Sequence, residues 1–164
     1  RYGNVLSSRG SVIPFFQKLI KEGKNILPIT DLNMSRFIIS LQDGINFVIF
    51  SLKNMKGGEI FVPKISALKI IDLAKAMGKN IKIKIIGLKP GEKISEVLCP
   101  VDESHLTVEF KKFYIILPTI EVKVKKHLYL RINNEKGKFV EKGFEYSSDK
   151  QNKLNISQIR KILN

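Results

Sequence analysis

The sequence predicts an α/β fold, and three observations carry that reading. Apolar side chains recur at helical spacing at Ile13, Phe16, Leu19 and Ile20, and again at Leu41, Ile45, Val48, Ile49 and Leu52. Short runs at residues 26–30, 37–39 and 59–62 read as strands. Helix and strand signals therefore alternate, which is the order of α/β architecture.

The elements follow in turn. Residues 1–5 read as a strand already under way, so the chain is expected to begin mid-protein. A small polar loop, Ser7-Ser-Arg-Gly-Ser11, leads into a helix over 12–22, with Pro14 in its first turn and Gly23 at its end. Asp31-Leu-Asn33 is turn-prone. Ser40 and Asp43 resemble a capping box ahead of the second helix, which Gly57-Gly58 closes off. Residues 59–62 form a buried strand, 70–77 a short helix ended by Gly78, and 81–85 an alternating, half-exposed strand. A Gly/Pro loop follows at 87–93, then a helical turn at 94–98. After Pro100 the character changes to short strands at 106–110, 113–117, 121–124 and 129–132, and Asn155 or Ser157 caps a last helix. The division is expected at residue 100: 1–100 for sheet and binding lobe, 101–164 for a β-rich extension.

Composition narrows the function. The formal charge of +14 is spread along the chain, +3 in residues 1–50, +6 in 51–100 and +5 in 101–164. It comes from 24 lysines and five arginines, beside equally abundant isoleucine. That favours solvated lysines over a nucleic-acid surface, because arginine is the residue that reads phosphate and base edges by paired hydrogen bonds. A basic nucleic-acid-binding module stays as an alternative, and Phe110-Lys-Lys-Phe-Tyr114 interleaves base and aromatic as such modules do. One cysteine, Cys99, and two histidines, His105 and His127, make a poor metal inventory and exclude an internal disulfide. No apolar run has the length of a membrane span, and a reducing, cytoplasmic setting is expected.

Three constellations can carry chemistry. Asn4 with Ser7, Ser8, Arg9, Gly10 and Ser11 ends a strand and opens a helix, where backbone N–H groups can meet an anion; the alternative is an ordinary polar loop. Arg36, between apolar residues, pairs with a carboxylate or meets a phosphate. Lys89-Pro-Gly-Glu-Lys93 projects Lys89 and Glu92 from a tight turn, suiting a phosphate and a ribose hydroxyl, or a surface ion pair of little energy. No glycine-rich dinucleotide fingerprint follows a strand and no Tyr-x-x-x-Lys pair sits in a predicted helix, so no self-sufficient active site is legible.

Taken in order, Arg1-Tyr-Gly-Asn-Val5, Ser8-Arg-Gly-Ser-Val-Ile-Pro14, Met34-Ser-Arg-Phe37, Gly57-Gly-Glu-Ile-Phe-Val-Pro63 and Lys89-Pro-Gly-Glu-Lys93 resemble the C-terminal half of the extended short-chain dehydrogenase/reductase family. Cys99-Pro-Val-Asp-Glu-Ser-His105 and Phe144-Glu-Tyr-Ser-Ser148 extend the resemblance, which points within that family to the inverting UDP-N-acetylglucosamine 4,6-dehydratases. It implies the end of a Rossmann-type sheet with a small α+β substrate lobe at roughly 24–40 and 81–130, and residues 1–5 and 59–62 in a mostly parallel sheet.

The resemblance also implies an upstream Rossmann half that holds NADP and the catalytic acid and base. The reaction it implies takes a hydride from C4 of the sugar, removes the C5 proton, expels water from C6 and returns the hydride to C6. This chain would supply the UDP-sugar site. Asn4, Ser7, Ser8, Arg9, Gly10 and Ser11 would border the sugar, with Tyr2, Asn4 and Arg9 touching cofactor. Thr30 would lie near the uridine, Arg36 and Lys89 at the diphosphate, and Glu92 at the ribose. No catalytic residue and no metal ligand is expected here, the chain alone is expected to be inactive, and the full enzyme is expected to be a homo-oligomer. No nucleic-acid or membrane partner is implied. Two departures stand out: Lys89 where the family shows Arg, which loses a two-pronged contact, and Ser35 where it shows Thr. A related 4-epimerase or retaining dehydratase remains an alternative.

Overall fold

A computed structural model describes residues 1–119 and 126–163. In chain order its elements are β1 (Asn4–Val5), α1 (Val12–Lys21), β2 (Ile26–Ile29), β3 (Ser35–Ile39), α2 (Leu41–Asn54), β4 (Ile60–Pro63), β5 (Ala67–Lys69), α3 (Ile70–Ala76), β6 (Lys82–Ile85), β7 (Val97–Cys99), β8 (Thr107–Glu109), β9 (Phe113–Ile116), β10 (Arg131–Ile132), β11 (Glu135–Lys136), β12 (Lys138–Phe139), β13 (Tyr146–Ser147) and α4 (Ile156–Leu163). Short 3-10 helices span Val101–Leu106 and Lys126–Leu130. The strand expected at 121–124 lies outside the described residues. Two compact units form, each assembled from separate stretches: one from 1–2, 41–64 and 97–147, the other from 3–40, 65–96 and 148–164.

The second unit holds the three-stranded sheet β1-β3-β5 and the parallel pair β2-β6. β1 runs parallel to β3, with Asn4 opposite Ile38, and β3 runs antiparallel to β5. α1 buries Ile13 and Phe16 against Leu27, Ile29, Met34, Ile38, Leu68 and Leu73, which gives this unit a continuous apolar core. The apolar stripe read from the sequence is therefore the face that drives α1 onto the strands. α4 adds the fully buried Ile159 to the same core. Its start is a reciprocal cap: Gln158 N donates to Asn155 Oδ1 and Asn155 N donates to Gln158 Oε1, both at 2.9 Å. Asn155 rather than Ser157 is thus the cap.

The first unit is built on the antiparallel order β12-β8-β9-β4. Here the sequence expectation for 59–62 needs correction. β4 pairs antiparallel with β9, from Ile60 opposite Ile116 to Pro63 opposite Phe113, and so belongs to no parallel sheet. A buried apolar strand looks the same in either direction, and only its distant partner decides. Residues 94–98 also differ from expectation: they form a bend and then β7, which pairs with β13. The helical turn lies one step later, after Pro100, whose fixed φ suits the entry to a helix.

α2 packs Phe50 edge-on to Phe61 at 6.2 Å and to Phe113 at 5.1 Å between ring centres. Phe110 and Phe113 stack at 4.7 Å. The residues whose spacing announced α2 lie on its other side. Leu41 and Leu52 are 62% and 64% exposed, and Ile45, Val48 and Ile49 are exposed with them. α2 is therefore apolar on both faces, the pattern of a helix covered all round.

Candidate functional site

A cavity of about 480 Å³ opens in the second unit. Its floor is apolar, from Ile13 and Phe16 of α1, Ile29 of β2, Ile38 of β3 and Leu68 and Leu73 beyond. Its polar groups arrive from four directions: Asn4 on β1, Gly10 and Ser11 at the start of α1, Thr30 and Arg36 flanking the β2–β3 turn, and Lys89 and Glu92 in the loop after β6. An apolar basin with a few convergent polar groups is the usual form of a small-molecule site.

Each polar group has a local cause. Ser7 adopts a left-handed φ of 57°, and Ser8 N donates to Val5 O at 3.2 Å, so the chain turns sharply off β1. Ser11 then caps α1 with extended backbone, but its hydroxyl is buried and has no hydrogen-bond partner among the described residues. The first turn of α1 carries no acidic residue. The cavity therefore meets the positive end of a helix and an unsatisfied hydroxyl, both suited to an anionic ligand.

The loop after β6 turns at Gly91, whose φ of 80° places it where side chains are disfavoured. Glu92 N donates to Lys89 O at 3.0 Å. The Glu92 carboxylate accepts from Thr30 Oγ1 at 3.0 Å and from Lys89 N at 3.2 Å, which fixes the loop to the end of β2. The Lys89 ammonium makes no ion pair among the described residues.

Arg36 is more committed than its sequence context suggested. Its guanidinium donates to Ser35 O at 2.7 Å, Ile94 O at 3.1 Å and Lys93 O at 2.7 Å, and lies 3.7 Å from Glu96. It clamps the 93–96 segment onto β3, and the residue also lines the cavity.

Of the residues singled out from the sequence, Asn4, Gly10, Ser11, Thr30, Arg36, Lys89 and Glu92 line one cavity. Ser7, Ser8 and Arg9 shape the loop beside it without lining it, and Tyr2 belongs to the other unit. Sequence reasoning missed Glu96 and Ser148. Glu96 accepts from Asn4 Nδ2 at 2.9 Å and Phe37 N at 3.0 Å, and Ser148 holds its backbone. The available signal was slight: a carboxylate just ahead of an apolar strand. Among the described residues no three His, Cys, Asp or Glu cluster as a metal site. Cys99 is fully buried, and burial pushes its thiol up to about 12, so it is no nucleophile. Phe110, Phe113 and Tyr114 are buried, which removes the aromatic platform that a nucleic-acid reading needed. Among the described residues no helix is long and apolar enough to cross a membrane.

Residues 1–118 match the family model described as polysaccharide biosynthesis protein. The chain belongs to that family. Within it, the chain is 54% identical over 151 residues to a UDP-N-acetylglucosamine 4,6-dehydratase (inverting) of Campylobacter jejuni, covering 91% of this chain and 45% of the relative. A UDP-glucose 4-epimerase of Rickettsia canadensis is more distant, at 36% over 167 residues, 99% of this chain and 48% of the relative. The X-ray structure of Pen from Bacillus thuringiensis matches with a TM-score of 0.82 at 36% identity, over 99% of this chain and 48% of that one. The chain thus spans less than half the length of these members of the polysaccharide biosynthesis protein family, and corresponds to the C-terminal portion of the dehydratase. Its mixed α/β fold accords with the C-terminal part of an extended short-chain dehydrogenase/reductase.

Proposed function

We propose that this chain is the nucleotide-sugar-binding part of a UDP-N-acetylglucosamine 4,6-dehydratase, inverting at C5. The observation that carries the reading is the cavity itself. The Lys89 ammonium, which makes no ion pair among the described residues, with Arg36 and the start of α1, offers a diphosphate its counter-charges, while Thr30, Glu92 and Asn4 offer partners for hydroxyl and amide groups. The much higher identity to the dehydratase than to the epimerase favours dehydration over epimerisation.

NADP would supply the hydride-accepting nicotinamide. Only Tyr2, Asn4 and Arg9 are candidates to touch it from this chain, and no strand here leads into a glycine-rich phosphate loop. The cofactor therefore belongs mainly to the remaining half of the enzyme, which would also bring the acid and base, so the chain alone is inactive. The exposed apolar stripe of α2 is the surface that this half would cover, since a stripe of this kind is unusual on an isolated soluble protein. A cytoplasmic homo-oligomer making a 4-keto-6-deoxy sugar nucleotide for surface polysaccharide or pseudaminic-acid-type glycans is the wider setting.

Titration calorimetry on the purified chain tests the reading. UDP and UDP-N-acetylglucosamine should bind at the cavity, and Lys89→Ala should weaken both by about tenfold, as the loss of a charge-assisted contact does. Absence of UDP binding, together with DNA binding that falls steeply with salt, would instead favour the basic nucleic-acid module.

A further inference from the structure

We infer that Glu96 is a positioning residue of this cavity, fixing Asn4 as a hydrogen-bond acceptor and steadying Arg36; the inference rests on the nucleotide-sugar reading for its ligand. Glu96 does not line the cavity, yet it touches two residues that do. Its Oε1 accepts from Asn4 Nδ2 at 2.9 Å, and its Oε2 accepts from Phe37 N at 3.0 Å. Arg36 Nε lies 3.7 Å from Oε1. One carboxylate thus bridges β1 and β3 at the level where Asn4 stands opposite Ile38.

The chemistry of that contact has a direction. An ionised carboxylate only accepts, so the Asn4 group facing it must be the amide nitrogen. The carbonyl oxygen is then the acceptor that Asn4 can offer to a bound molecule, and a sugar hydroxyl or acetamido N–H is the matching donor. Glu96 is itself held on both sides. Its N–H donates to Ser148 Oγ at 2.9 Å, its carbonyl accepts from Ser148 N at 2.8 Å, and the Ser148 hydroxyl meets the buried Ser35 hydroxyl at 2.8 Å. A residue whose only purpose was an ion pair with Arg36 would need neither the Asn4 contact nor this anchoring.

Glu96→Gln keeps the shape and removes the direction. Glutamine has one acceptor oxygen for the three donors that converge here, and its amide nitrogen must face one of them. Three measurements on the chain test the inference. The Asn4 side-chain amide signals, assigned in a two-dimensional nitrogen–proton spectrum, should move in Glu96→Gln without ligand. The affinity for UDP-N-acetylglucosamine should fall by about tenfold. That loss should shrink several-fold in an Asn4→Ala background, because two residues acting through one contact are not additive. Arg160→Met, which deletes a bond to Ala76 O in the same unit, should lower the melting temperature and leave affinity within about twofold. Unmoved Asn4 signals in Glu96→Gln would overturn the inference, as would equal losses in both backgrounds. If the wild-type chain binds no nucleotide sugar, the functional reading fails, and the Asn4 signals alone decide the role of Glu96.

Discussion

Gly3→Ala should destabilise the chain by about 2–4 kcal/mol, measured as a lower urea midpoint. Gly3 is not in a left-handed conformation, so the requirement is for space. A Cβ built there would lie 2.5 Å from Phe37 Cβ and 2.7 Å from Phe37 O. Neither neighbour can yield. Phe37 is fully buried in β3, whose Ser35 and Ile38 are buried as well. The added methyl group must therefore push β1 away from β3, breaking the pairing of Asn4 with Ile38. Because Asn4 travels with β1, nucleotide-sugar affinity should fall along with stability. A Gly3→Ala chain of wild-type stability would show that β1 has room this geometry denies it.

Arg36→Met should cost about 2–3 kcal/mol and weaken UDP binding by about tenfold or more. The substitution keeps an unbranched apolar stem but, ending where the guanidinium begins, strips the donors from Ser35 O, Ile94 O and Lys93 O. Those carbonyls then lose a charged partner, and the 93–96 segment loses its clamp to β3. Arg36→Lys should recover little, because one ammonium cannot reproduce the planar fork that spans three carbonyls. Urea titration and calorimetry on the same samples separate the two losses. A lysine variant that restores both would mean that charge alone suffices at this position.

Local signals were the legible part of the sequence. Ile13 and Phe16 gave α1 its inward face, and Asn155 or Ser157 marked the start of α4, where the structure chooses Asn155. The direction of strand pairing was not legible: β4 reads as a buried strand, but its antiparallel partner residues lie 50 to 56 positions away. For α2 the spacing named the apolar residues and not their surroundings, because Phe50 packs from the opposite side. The cavity's polar residues were found as separate motifs, each weak alone. Their convergence required the fold. Glu96 stayed hidden for a related reason: its partners are a backbone N–H on β3, an amide on β1 and a serine 52 residues later.

The burial of Cys99 makes the protein its own stopwatch. Its thiol is the single sulfhydryl of the chain and has no exposure in the folded state. A soluble disulfide reagent can reach it only while the pairing of β7 with β13 is broken. The rate at which colour develops therefore counts openings of that unit alone, and a ligand that seats in the other unit can be asked, without any added label, whether its arrival slows them.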